Sequence, residues 1–273
     1  MIPHPVSSGA FSPRRIGAMV LRYWYLLRSS WPRILELIYW PAVQMLMWGF
    51  LQLYIANNAG FFARAGGTFI GAVLLWDILF RGQLGFSISF LEEMWARNMG
   101  NLMISPLRPI EFIVALMIMS IVRLAIGMVP VTILAITFFD FNIYSLGLVL
   151  AAFFLNLILT SWSIGIFVSG IVLRNGLGAE SMAWTIMFLL LPLTCVYYPV
   201  TTLPGWLQIV AWALPPTYVF EGMRAVLIDH VFRVDLMLPA LLLNAVYFVA
   251  ATGAFFALLQ SARRNGSLLQ SGE

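Results

Sequence analysis

Tyr197-Tyr198-Pro199-Val200-Thr201-Thr202-Leu203-Pro204-Gly205-Trp206-Leu207-Gln208, followed shortly by Pro215-Pro216-Thr217-Tyr218-Val219-Phe220-Glu221-Gly222-Met223-Arg224, is the stretch whose reading decides the fold. Prolines at 199, 204, 215 and 216 forbid one continuous helix, yet Trp206, Leu207, Ile209, Val210, Trp212 and Leu214 keep the segment apolar. A proline supplies no backbone N–H and clashes with the preceding turn. An apolar chain that cannot stay helical between two long apolar runs is expected to dip into a membrane face and come back. Such backbone survives at that depth only where protein or a water-filled cavity satisfies its N–H and C=O groups.

The flanking composition agrees. With 62% hydrophobic and 10% charged residues over 273 positions, the chain has more apolar surface than a soluble core can use. Six runs approach or exceed the roughly 20 residues that cross a bilayer, at 34–55, 67–90, 110–138, 145–172, 181–198 and 237–260. The expectation is an all-α integral membrane protein. It has six transmembrane helices, an N-terminal amphipathic interfacial helix over 11–30, a cytoplasmic region over 91–109 and the re-entrant segment over 198–224, all in one domain spanning 1–273.

Charge orients it. All 15 basic residues are arginine, and ten of them (14, 15, 22, 28, 33, 97, 108, 174, 263 and 264) fall on one side of the six-span layout; 64, 224 and 233 fall opposite, and 81 and 123 lie within spans. The positive-inside rule makes the ten-arginine side cytoplasmic, with both termini there. Arginines beside apolar runs meet lipid headgroups, so the net charge of +4 does not imply nucleic acid. Without lysine there is no G-x-x-x-x-G-K-[ST] loop, and the chain is expected to hold no ATPase site of its own. The first dozen residues lack the short apolar core of a cleaved signal peptide. His4 and His230 stand apart and Cys195 is alone, so neither a metal site nor an intrachain disulfide is expected.

Over residues 11–30 the arginines at 14, 15, 22 and 28 take one side of a helical wheel, and Ile16, Met19, Val20, Tyr23, Trp24 and Leu27 take the other. Ser12-Pro13 is a good helix opening. The arginine face is expected among headgroups, with the apolar face just below. After the second span comes Leu91-Glu-Glu-Met-Trp-Ala-Arg-Asn-Met-Gly-Asn-Leu-Met-Ile-Ser-Pro-Leu-Arg-Pro109. Here Glu93 and Arg97 are spaced to pair on one helical face. Gly100 and Pro106 are expected to break the helix, leaving a short surface helix that offers Leu102, Met103 and Ile104, readable as a solvated loop or as a docking site.

Three ionisable residues lie deep in the runs: Asp77, Arg81 and Arg123. Each charge at the bilayer centre costs roughly 2.5–3.5 kcal/mol on insertion scales, so such groups pair or face a polar cavity. Asp77 and Arg81 suit an i,i+4 pair. Arg123 could reach the same depth, leaving one positive charge either for a substrate pathway or for bonds to helix carbonyls. Glu221 and Arg224 suit an i,i+3 pair that locks the re-entrant segment. Asn156, Thr160, Ser161 and Ser163 form a polar band more typical of helix packing than of a binding site.

The order of these features resembles the permease subunits of type-two ABC exporters. The basic amphipathic helix, Glu93-x-x-x-Arg97-x-x-Gly100-x-Leu102-x-x-x-Pro106, the aromatic-Pro199 and Pro204-x-Trp206-Leu segment, Pro215-x-x-Tyr218 and Glu221-x-x-Arg224 recur there in sequence. The resemblance implies two permease copies, as a homodimer or pseudo-dimer, bound to two separate ATPase subunits that carry ATP and Mg, in a bacterial inner membrane. Glu93, Arg97, Gly100, Leu102 and Pro106 would contact the ATPase; Pro199, Pro204, Trp206, Glu221 and Arg224 would form the outer gate; and Asp77, Arg81 and Arg123 are pathway candidates. The competing expectation is an ATPase-independent secondary transporter with Asp77 as a protonatable coupling group, although no inverted repeat supports it. An intramembrane enzyme lacks a nucleophile with a base or clustered metal ligands.

Overall fold

The computed structural model describes residues 11–58 and 68–265. His4 and Arg64 lie outside the described residues. Ten α-helices follow in order: α1 (Pro13–Arg28), α2 (Trp31–Asn58), α3 (Thr68–Trp95), α4 (Met99–Ile104), α5 (Pro109–Phe139), α6 (Leu148–Asn175), α7 (Met182–Leu193), α8 (Gly205–Trp212), α9 (Pro215–Asp229) and α10 (Val234–Asn265). The described residues contain no strand.

Five helices, α2, α3, α5, α6 and α10, are long and apolar enough to cross a membrane. The run at 181–198 departs from the expected sixth full-length span. α7 holds 12 residues, about 18 Å of helix against a hydrocarbon core of roughly 30 Å. Its end has a local cause. Pro192 cannot donate to the turn before it, and the backbone N and hydroxyl of Thr194 both converge on the Leu190 carbonyl. Cys195 then takes a left-handed conformation at φ 54, the position that typically closes a helix. From there to α8 the chain holds a 3-10 turn at Val200–Thr202 and no α-helix.

α3 is the central helix and buries most of its surface. Close approach depends on small residues: a Cβ on Gly82 would lie 2.8 Å from Ser161 Oγ of α6, and one on Gly127 of α5 would lie 2.8 Å from the Leu37 carbonyl of α2. α6 packs most extensively against α10, where Asn244 donates to the carbonyl and side-chain oxygens of Asn156 and accepts from Thr160. The polar band of α6 therefore joins helices. α2 and α10 are peripheral and expose Tyr39, Trp40, Phe50, Leu242, Val246 and Val249, a surface that suits lipid and not water.

Two apolar cores divide the bundle. One gathers Leu74, Leu79, Leu157, Phe220 and Met223 from α3, α6 and α9. The other gathers Tyr23, Leu27, Phe90, Phe112 and Phe255 from α1, α3, α5 and α10. The second marks the arginine-rich end, where α1, α4 and the last turns of α10 meet; the first reaches the opposite end, beneath α8 and α9.

Candidate functional site

At the arginine-rich end α1 lies across the bundle with Ile16, Met19, Tyr23 and Leu27 buried, while Trp24 is exposed. Only part of its arginine face remains free for headgroups. Arg14 and Arg28 are exposed; Arg15 and Arg22 bind carboxylates of their own protein. Glu111, fully buried at the start of α5, accepts from Arg15 Nη2 at 2.6 Å, Arg15 Nε at 2.8 Å, the Ser12 amide at 2.8 Å and the Arg108 amide at 3.0 Å. The hydrogen bond to Glu111 raises the pKa of Arg15 above its ordinary value. Burial pushes the Tyr23 hydroxyl up as well.

Glu93 on α3 accepts from Arg22 Nη1 at 2.6 Å and Nη2 at 3.1 Å, and from Asn98 Nδ2 at 2.7 Å. Its neighbour Glu92 is shared: Arg33 Nη1 donates at 3.0 Å, and Arg123 Nη2 reaches both oxygens at 2.9 Å. Three carboxylates thus meet four guanidiniums, leaving a surplus of one positive charge.

This geometry corrects three sequence-based expectations. Glu93 does not pair with Arg97, because α3 ends at Trp95 and Arg97 sits in the following turn at φ 54, exposed to solvent. Once the helix stops, the i,i+4 register no longer exists. Gly100 does not break the helix either; it lies inside α4, and the turn precedes it at 96–98. Of the surface offered by α4, Leu102 faces the core at 9% exposure, whereas Ile104 is 85% exposed. Pro106 follows, also exposed.

Hydrogen bonds tie this stretch to two other elements. Trp95 Nε1 donates to Glu180 Oε2 at 2.8 Å, joining the end of α3 to the loop before α7. Arg263 Nη2 lies 3.4 Å from Met103 Sδ, joining the end of α10 to α4.

Deeper in α3, Arg81 Nε lies 3.5 Å from Asp77 Oδ1, so the expected i,i+4 pair forms. Asp77 is fully buried, and neither of its carboxylate oxygens has a hydrogen-bond partner. The stem of Arg81 passes Gly127 of α5, and Tyr197, stacked on Trp48 with ring centroids 4.4 Å apart, lies within electrostatic reach of Asp77. Arg123 is not part of this group. Its partner Glu92 is 11 residues beyond Arg81, about 16 Å along the helix, so it belongs to the arginine-rich end.

The return segment accounts for its exposed backbone bond by bond. Helix termination leaves carbonyls without intrahelical partners. Arg224 Nη1 donates to the Cys195 carbonyl at 2.9 Å and the Val196 carbonyl at 3.3 Å, while Nη2 donates to Glu221 Oε1 at 2.9 Å. The same Glu221 oxygen accepts from the Val200 amide at 2.7 Å. Tyr198 Oη donates to the Pro192 carbonyl, Gln208 Nε2 to the Leu203 carbonyl, and Tyr247 Oη to the Ala213 carbonyl. Pro199 leads into a 3-10 turn at Val200–Thr202, Pro204 precedes α8, and Pro215-Pro216 open α9, where a missing N–H costs nothing. Trp206 is 70% exposed.

The groups that organise the arginine-rich end, Glu92, Glu111 and Glu180 with Arg15, Arg22 and Arg33, escaped the sequence reading. Their long-range partners lie 31–99 residues away, beyond any helical spacing. The available signal was scarcity: acidic side chains are few in this chain, and three of them sit beside the arginine-rich ends of helices. Among the described residues no group of three or more His, Cys, Asp or Glu side chains converges as a metal site.

Residues 17–228, from within α1 to the last turn of α9, match the family model described as ABC-2 type transporter. No curated protein matches the chain.

Proposed function

The chain belongs to the ABC-2 type transporter family, and from that premise we propose that it is the membrane-spanning subunit of an ATP-driven exporter, working as two copies around a shared substrate route. Its energy comes from separate ATPase subunits that bind ATP and Mg. The positive-inside rule supports an inner-membrane orientation with the arginine-rich end in the cytoplasm, along with both termini. The observation that carries the reading is α4. It is a six-residue helix with an exposed Ile104, and its flanks are bonded to α1, α10 and the foot of α7. A partner that pushes on α4 moves all three.

Within this reading Glu93 and Asn98 position α4, Ile104 and Pro106 meet the ATPase, and Leu102 seats the helix. Asp77 and Arg81 are the pathway candidates, and Glu221 and Arg224 hold the outer gate closed. Affinity purification from native membranes is expected to bring down a nucleotide-binding chain together with ATP hydrolysis. Ile104→Asp is expected to lose both while the permease still elutes as a folded species. The Asp77 carboxylate, fully buried with Arg81 3.5 Å away and no hydrogen-bond partner, favours one competing outcome: transport by the chain alone that survives ATP depletion and stops when the proton gradient collapses. That outcome would replace the exporter reading with a secondary transporter.

A further inference from the structure

A cavity of about 470 Å³ lies between α6, α7 and α10, capped by the junction of α8 and α9. Its α6 wall carries Thr160, Ser163 and Phe167, its α7 wall Ile186 and Leu190, and its α10 wall Tyr247, Ala250 and Ala254. The volume falls within the roughly 300–1,000 Å³ of small-molecule sites. Small side chains on α10 create the space, and Leu214, Pro215 and Pro216 close its top.

The polar groups on these walls are already used. Thr160 Oγ1 donates to Asn244 Oδ1, Ser163 Oγ to the Leu159 carbonyl, and Tyr247 Oη to the Ala213 carbonyl. A buried water needs two to four polar partners, and these walls offer no free donor, only the remaining acceptor lone pairs of hydroxyls whose protons are already bonded. An apolar cavity of this size takes an apolar guest. Depth selects which one. Tyr247 and Ala254 lie 16 and 9 residues before Arg263, about 24 and 14 Å of helix, so the cavity spans the middle of a roughly 30 Å hydrocarbon layer with its Ala254 end toward the arginine-rich side. It is continuous with the lipid-facing surface that exposes Phe167, Phe188, Leu189 and Val249.

We propose that this cavity binds one acyl chain of a bilayer phospholipid from the leaflet on the arginine-rich side, with the chain entering near Ala254, Phe167 and Ile186 and its methyl end resting under Pro215-Pro216. The lipid wedge props α7 away from α10 and supports the α8–α9 junction from below. The site is distinct from the buried Asp77–Arg81 pair on α3 and does not depend on the identity of the exported substrate.

The full chain reconstituted in vesicles of phosphatidylethanolamine and phosphatidylglycerol, containing no transport substrate, tests this. A minor fraction of phosphatidylcholine carries a photoactivatable diazirine on one acyl chain, either near the glycerol or at the terminal carbon. Terminal diazirine is expected to label Leu214–Pro216 and Tyr247, and the glycerol-proximal probe to label Phe167, Ile186 and Ala254. Ala250→Phe with Ala254→Phe is expected to remove most of this label while labelling of Tyr39 and Trp40 on α2 stays unchanged. Labelling of the cavity walls no stronger than that of α2, or indifferent to where the diazirine sits in the wild-type protein, overturns the proposal. A filled-cavity variant that folds and still labels fully overturns it too.

Discussion

The two ends of the bundle handle charge in opposite ways. At the arginine-rich end, apart from the buried Arg123–Glu92 pair, the carboxylates are buried and the arginines arrive from outside: Glu93 and Glu111 are almost wholly enclosed, while the side chains of Arg22 and Arg15 keep 39% and 27% of their surface exposed. At the return segment the guanidinium is the buried partner. Arg224 is 9% exposed and spends two of its bonds on backbone carbonyls. The first arrangement attaches a helix that could otherwise leave, and the second replaces helical hydrogen bonds that the prolines have removed. Loss of a partner should therefore detach an element at one end and unfold local backbone at the other.

The largest expected effect is at the return segment. Arg224→Met leaves the Cys195 and Val196 carbonyls without their side-chain donor and Glu221 without its cation, and breaking a buried pair of this kind costs about 3–5 kcal/mol. Thermal unfolding of the purified protein should show a large drop or no folded species. The reversed pair, Glu221→Arg with Arg224→Glu, sharpens the contrast. It should fail to rescue, because a carboxylate at 224 cannot donate to two carbonyls and an arginine at 221 cannot accept the Val200 amide. Full recovery would mean that charge pairing alone holds the segment.

Glu92→Gln comes next. Arg33 can turn to solvent, but Arg123 is 4% exposed, so a cost of about 2–3 kcal/mol is expected, measurable as a lowered melting temperature. Arg22→Ala should cost less, about 1 kcal/mol, since the exposed guanidinium was partly solvated and Asn98 still serves Glu93. Its effect should appear as faster proteolysis within α1, and high salt should reproduce part of it in the wild type while leaving Arg224 variants unaltered. Arg97→Ala is the smallest: within about 0.5 kcal/mol of wild type, because Arg97 makes no ion pair with Glu93. A drop as large as that of Arg22→Ala would restore the helical pair the sequence suggests.

Local rules succeeded wherever the chain stayed helical. Asp77 and Arg81 pair at i,i+4 and Glu221 and Arg224 at i,i+3, as spacing implies, and Ile16, Met19, Tyr23 and Leu27 form the buried stripe of α1. They failed where a helix ended sooner than its composition suggested. Glu93 and Arg97 have ideal spacing, but the turn at 96–98 removes the register; the apolar run at 181–198 is long enough for a span, but Pro192 and Cys195 end the helix at Leu193.

The sequence alone was enough to establish a helical membrane protein with an amphipathic first helix, a proline-broken segment before the last long helix and an arginine-rich end, because hydropathy, proline chemistry and charge asymmetry act on neighbouring residues. Only the tertiary structure decided that Glu93 answers Arg22, that Glu92 neutralises Arg123, that Arg224 caps the broken end of α7, and that a gap remains between α7 and α10. Those outcomes depend on which helices touch. A buried charge takes whichever partner packing brings within hydrogen-bond reach, whatever its distance along the chain.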